Sequence, residues 1–306
     1  MNPAFSVIFL TTLIGAGQGL YLALFAAQIS GQADGRFLVL GGAIALALAG
    51  GGLIASFFHL GRPERAWRSA AMWRTSWLSR EVIALPLFMG GVFMWTLAHA
   101  LATGGTLALG VAAALACIAL FVCTAMVYAS VRFLQEWASA YTLVNYALLG
   151  LASGCTLATV LAAYGAPALA PAFGSAALLL TALAGLSRVL SLRRNARLKP
   201  KSTLQTAIGI RHPQIVQRAM GFMGGSFNTR EFFHGKTAAA LRSVKWVFLL
   251  GAFVLPLVLL ALGLSSASAG LLALAFGVQY LGLLAERWFF LAQANHPQNL
   301  YYQAVS

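Results

Sequence analysis

The chain has 306 residues, of which 60% are hydrophobic and 8% charged, and its mean hydropathy is +0.82. Soluble domains carry roughly 25% charged residues, so a soluble enzyme or adaptor is excluded and an integral membrane protein is expected. The excess of 20 Lys+Arg over 6 Asp+Glu, a formal charge of +14, then reflects basic loops retained in the cytoplasm rather than affinity for nucleic acid.

A membrane-spanning helix needs about 20 mainly apolar residues. The first stretch that qualifies, roughly residues 5–27, lacks a basic leader and is long enough to span, which predicts a permanent helix rather than a cleaved signal. Its "GAGQG" run sets Gln18 among glycines that either permit close helix packing or place a polar group at a binding site. Seven more stretches follow, at roughly 37–58, 81–101, 106–127, 142–163, 169–190, 246–264 and 269–291. None alternates polar and apolar residues as a barrel strand does, and no strong internal repeat stands out. The predicted fold is all-α: a single membrane domain over 1–306, built as an eight-transmembrane-helix bundle with a long basic cytoplasmic loop at 191–245.

The connections alternate in charge. Loop 28–36 holds Asp34 and Arg36, and the turns near 102–105, 164–168 and 265–268 hold none. On the opposite side, residues 59–80 carry five arginines, loop 128–141 carries Arg132 and Glu136, and 188–245 carries twelve Lys/Arg with one acid, Glu231. Eighteen basic residues thus fall on one side and one on the other, which puts the basic loops and both termini in the cytoplasm.

The connection between the second and third helices reads "HLGRPERAWRSAAMWRTSWLSRE", with His59 at one lip and Glu81 at the other. Plain helix-end chemistry accounts for part of it. Ser79 reads as an N-cap with Glu81 in the first turn, stabilising by about 0.3–1 kcal/mol, and His59 suits an interface where its ring tip reaches water. Ionisable groups at membrane depth nevertheless mark functional paths by default, and this pair fits a quinone. A quinone's two oxygens need a donor such as imidazole or guanidinium, and its protons need a titratable base. Imidazole titrates near neutrality, and burial raises a carboxylate toward it. His59 and Glu81 are therefore the candidate proton relay. Arg62 and Arg80 flank them, and Trp67, Trp73 and Trp77 form an interfacial aromatic belt able to line the pocket.

The remaining groups offer less chemistry. Cys117, Cys123 and Cys155 lie in apolar stretches without a CxxC pair, so no metal site is expected. His59 and His99, the histidines at spans, fall at opposite predicted faces, so no haem is expected between them. Glu286 and Arg287, late in the last helix, suggest an internal ion pair or a stabiliser of the docking face, with a structural role in either case. The loop sequence "HPQIVQRAMGFMGGSFNTREFFHG" mixes Phe222, Phe227, Phe232 and Phe233 with glycines and charge. Attraction to membrane lipids explains the charges but not the aromatics, so a protein partner is expected to dock there.

"HLGRPERAW" followed by "SWLSREV", the helix count, the long sixth connection and the E-R-x-F-F ending at Glu286 resemble the anchor-subunit family of dimethyl sulfoxide reductase and related molybdenum enzymes. The resemblance implies a haem-free, eight-helix subunit of a bacterial inner-membrane complex. An iron–sulfur electron-transfer subunit would dock on its cytoplasmic loops, with a molybdopterin catalytic subunit beyond. Iron–sulfur clusters and molybdopterin would belong to those partners, while this chain would hold a quinone (ubiquinone or menaquinone) at His59 and Glu81, which match the family's H-L-G and S-x-E elements. Within the family, "GGSFNTREFFHG" and "AERWFFLAQANHPQNLYY" look most like the membrane subunits of sulfite:quinone oxidoreductases, and a cytoplasmic docking side suits sulfite oxidation better than an exported reductase. A quinol-oxidising anchor would use the same residues in reverse. A secondary transporter is the rival from another class; mid-span positions almost uniformly Ala, Leu, Val and Gly disfavour it, although Pro256 interrupts the seventh helix.

Overall fold

A computed structural model of the chain describes residues 1–216, 218 and 232–300. In lipid every backbone N–H and C=O must be paired within its own segment, so each apolar stretch becomes a helix: α1 Phe5–Ile29, α2 Gly35–Phe57, α3 Trp77–Ala100, α4 Thr106–Ala129, α5 Ala140–Gly165, α6 Ala170–Asn195, α7 Ala238–Ser265 and α8 Ala269–Ala292. All eight are long and apolar enough to cross a membrane, and no strand occurs among the described residues. Side-chain caps mark several starts: Asp34 accepts from Phe37 N at 2.8 Å, Ser139 from Tyr141 N at 3.2 Å and Thr237 from Ala240 N at 3.2 Å.

Three boundaries correct the sequence-based expectation. Helix α3 starts one turn early, at Trp77, and its cap is Ser76, which accepts from Ser79 N at 3.3 Å. Ser79 is therefore not the cap, and Glu81 stands in the second turn. Helix α6 runs on to Asn195, so Arg188, counted above with the basic loop, lies inside the bundle. Helix α7 begins at Ala238 and widens into a π-helical segment, Leu250–Val254, just before Pro256. Proline lacks an N–H and crowds the carbonyl four residues back, and a wider turn accommodates both defects.

Helices α1 and α5 form the centre. Helix α1 packs on α2 and α5, α5 on α6, α3 on α4, and α8 on α7 and α5. The α1–α5 contact is close because it is made by glycines: a Cβ on Gly19 would strike the α5 backbone at Gly150, and one on Gly154 would strike the α1 backbone at Gly19. Hydroxyls inside the bundle bond back to carbonyls four residues earlier, as in Thr12 to Ile8 O (2.8 Å), Ser153 to Leu149 O (2.9 Å) and Thr159 to Cys155 O (2.8 Å), so they add little polar cost.

The start of α3 and the ends of α2, α4 and α6 meet at one end of the bundle, the basic end. A 3-10 winding, Pro63–Met72, crosses this end between α2 and α3. The end of α6 is tied to the α4–α5 connection, where Arg194 donates to Gln135 O at 3.0 Å and Ala138 O at 3.3 Å. Beyond it comes a short helix, Leu204–Ile208. Of the loop aromatics, Phe232 stacks on His296 with ring centres 4.0 Å apart and Phe233 is buried. Phe222, Phe227 and Glu231 lie outside the described residues.

Candidate functional site

The site starts from how α2 ends and α3 begins. After Phe57 the chain turns, with Phe58 N bonded to Ala55 O at 3.2 Å and Leu60 N to Phe57 O at 3.2 Å, which leaves His59 on the turn. The return path is fixed by Arg80. Its Nε donates to Trp73 O and its Nη2 to Arg74 O, both at 2.8 Å, and its guanidinium lies 4.2 Å over the Trp77 ring. Arg80 thereby pins the end of the crossing segment onto the first turn of α3.

Between these elements and α1 is an apolar outer cavity of about 250 Å³, lined by Leu10, Leu53, Phe57, Trp67, Leu85 and others, with His59 and Glu81 in its wall. Phe57 and Leu78 at its edge are exposed on the bundle's flank. The structure therefore brings His59, Glu81 and Trp67 to one cavity. Arg62, Trp77 and Arg80 are not in its lining. Neither ring nitrogen of His59 is engaged by a described residue. Partial burial lowers its imidazole below the ordinary value, so it stands as a neutral group with an N–H to donate.

Glu81 is held from the other side. Thr124 on α4 donates to its Oε1 at 2.6 Å, a charge-assisted length when the carboxylate is ionised. Glu81 and Leu10 also line a second, inner cavity of about 30 Å³, shared with Thr12, Gln18, Thr124, Tyr146, Ser153 and Arg287. Gln18 thus lies at the inner cavity, not the outer one, and its Nε2 donates to Cys117 O at 2.9 Å.

Behind the inner cavity is a buried ion cluster. Glu286 Oε1 lies 2.6 Å from Arg188 Nε, and Arg287 Nε lies 2.5 Å from Glu286 Oε2. The three side chains are 0–5% exposed. Aromatic rings surround them: the Arg287 guanidinium lies 4.2 Å from the Tyr146 ring centre and that of Arg188 5.5 Å from Phe248. Sequence reasoning anticipated the Glu286–Arg287 pair from ionisable residues at depth, but missed Arg188 and Thr124. Arg188 was hidden by its basic neighbours, and nothing in a lone threonine signals a partner 43 residues away.

His99 is placed at the far end of α3, 18 residues after Glu81 and so about 27 Å along the helix, with its ring edge-on to Trp95 at 4.8 Å. Among the described residues no three His, Cys, Asp or Glu side chains gather as metal ligands.

Comparison with known proteins adds to this geometry. The family described as "DMSO reductase anchor subunit (DmsC)" matches residues 1–291. A sulfite dehydrogenase subunit from Allochromatium vinosum is 54% identical over the full length of both chains.

Proposed function

The chain belongs to the DMSO reductase anchor subunit family and is the multi-pass membrane subunit of such an enzyme, and on that footing we propose that it reduces a quinone in the outer cavity with electrons from sulfite oxidation in a partner subunit. The carrying observation is the outer cavity itself. It is apolar, opens on the flank of the bundle where an isoprenoid tail can remain in lipid, and offers one imidazole and one carboxyl group in its wall. Its volume suits a single ring rather than a whole lipid, since ligand pockets for drug-sized molecules begin near 300 Å³.

The chemistry follows from the groups present. Partner clusters would supply two electrons one at a time, released as sulfite and water become sulfate and two protons. In this chain the neutral His59 N–H donates to one quinone oxygen, and the Glu81 carboxyl gives its proton to the oxygen that gains charge. Two electrons and two protons convert the quinone to quinol, which leaves by the lipid side. Sulfite is taken from the relative's name, and the orientation from the charge asymmetry: the basic end faces the cytoplasm, and segment 191–245 is the docking platform for the iron–sulfur subunit.

The test is gentle purification of the complex, metal analysis and a sulfite-to-quinone assay. Molybdenum and iron should co-purify, and His59→Ala should slow quinone reduction about 5- to 150-fold, the loss of one hydrogen-bond donor, while keeping its partners. A metal-free chain that purifies alone, or a His59→Ala complex with wild-type turnover, contradicts the proposal.

A further inference from the structure

Glu81 is a wall of two cavities, and only the outer one is used above. The inner cavity leaves about 30 Å³ for the centres of water molecules, against roughly 10–15 Å³ needed for one. A buried water also requires two to four polar partners, and the lining provides them. Arg287 is only 4% exposed, and its Nη2 makes no well-aligned hydrogen bond among the described residues, Tyr146 being the polar side chain beside the guanidinium. An unpaired buried guanidinium N–H is costly, and a water in the adjoining cavity removes that cost. Gln18 commits its Nε2 to Cys117 O, which leaves its Oε1 as an acceptor.

Charge points the same way. Arg188 and Arg287 face a single carboxylate, Glu286, so the cluster holds one positive charge more than it balances. Among the described residues, the only carboxyl group lining the inner cavity is Glu81. Titratable or charged groups around Glu81 are His59 after α2, Cys123 and Tyr128 on α4, Tyr146 on α5, Arg287 on α8 and Arg80 on its own helix. Helix α1 brings no titratable group to it; its polar side chains in the inner cavity are Thr11, Thr12 and Gln18.

Resting on the quinone reading, we propose that the inner cavity holds water that reprotonates Glu81, with Arg287 as the positioning residue for that water. When the quinone oxygen takes the Glu81 proton, the carboxylate left behind faces the cluster's excess positive charge. A water held by Arg287 and Gln18 then gives a proton to a Glu81 oxygen and is itself reprotonated from the basic end, which Arg287 approaches to within about 8 Å along α8. The cycle runs twice per quinone, once for each proton, and no proton crosses to the far end of the bundle.

Two variants of the intact complex test this. Gly15→Ala adds a methyl to the cavity wall, and its Cβ would meet only Gly150 Cα, at 3.5 Å, an ordinary contact; alanine is also the better helix former. Gln18→Leu removes a water acceptor. Both should slow quinone turnover about tenfold, less than the roughly 10²–10⁴-fold for losing the proton donor itself, because Glu81 stays and only its reprotonation is impaired, and both should enlarge the solvent deuterium isotope effect. Affinity for a quinone-analogue inhibitor should stay within about twofold. Wild-type turnover and isotope effect in both variants would overturn the inference and leave the outer-cavity reading standing. Unchanged inhibitor affinity in His59→Ala would overturn both.

Discussion

Two apolar hollows mark the flank of this bundle. One is the outer cavity of about 250 Å³ at the basic end; the other is a groove of about 370 Å³ between α1, α5 and α6, lined by Leu22, Ala26, Leu151, Phe173 and neighbours. The groove is the larger, and its polar groups are Ser30, Gln32 and the buried thiol of Cys155. The smaller cavity holds an imidazole and a carboxyl group, and behind the carboxyl lie a hydroxyl, a second cavity and a buried ion cluster. Lipid fills any apolar hollow; what separates a reaction site from a packing gap is a route for protons. On the proposed reading the reaction site is the smaller hollow, which volume alone does not pick out.

Substitutions can break this contrast, and the largest effect is expected at Glu81. Glu81→Gln keeps the shape and the Thr124 contact but removes the exchangeable acid, so quinone turnover should fall roughly 10²–10⁴-fold, the span for a positioned proton donor. Steady-state reduction of a soluble quinone analogue by the intact complex reads this directly, and a change under threefold would remove Glu81 from the chemistry.

His59→Ala should cost less, about 5- to 150-fold in turnover, because it deletes one hydrogen-bond donor worth roughly 1–3 kcal/mol. Its pH behaviour sharpens the point. Burial disfavours the charged ring and lowers its titration from the usual 6.5, so the neutral form persists as pH falls through 6.5. Analogue affinity should therefore be flat from pH 8 to 6.5 and change only below. A transition centred above 6.5 would mean that His59 is stabilised as a cation.

Thr124→Val removes the 2.6 Å bond to Glu81 without touching the outer cavity. A several-fold fall in turnover, with analogue affinity unchanged, is the expected split. The smallest effect should come from the other hollow: Ala26→Phe fills the groove between α1, α5 and α6 and should leave turnover within about twofold, since exposed substitutions away from special features rarely exceed ±0.5 kcal/mol. A large loss there would mean the wrong hollow was chosen.

Much of this was legible in the sequence, for physical reasons. Apolar runs of span length have a single outcome in lipid, so all eight helices were found, and the one-sided arginines told the two ends apart. His59 and Glu81 stood out because ionisable residues are expensive at that depth. Helix boundaries failed where hydropathy and hydrogen bonding part company. The apolar stretch ends near residue 190, but the hydrogen-bonded helix continues to Asn195, and Arg188, read with the basic loop, is paired inside the bundle by Glu286, 98 positions later. The start of α3 was missed because Trp77, Ser79 and Arg80 read as loop, although Ser76 had already capped the helix. The inner cavity was invisible from sequence, since Thr12, Gln18, Tyr146, Ser153 and Arg287 come from three helices that only the fold unites.

The most direct test of the central claim is photolabelling of the intact complex with an azido-quinone, followed by peptide mapping. Label within 53–69 and 78–86, lost in competition with unlabelled quinone, is the predicted result. Competable label on 151–176 or 22–32, the walls of the other groove, would contradict it.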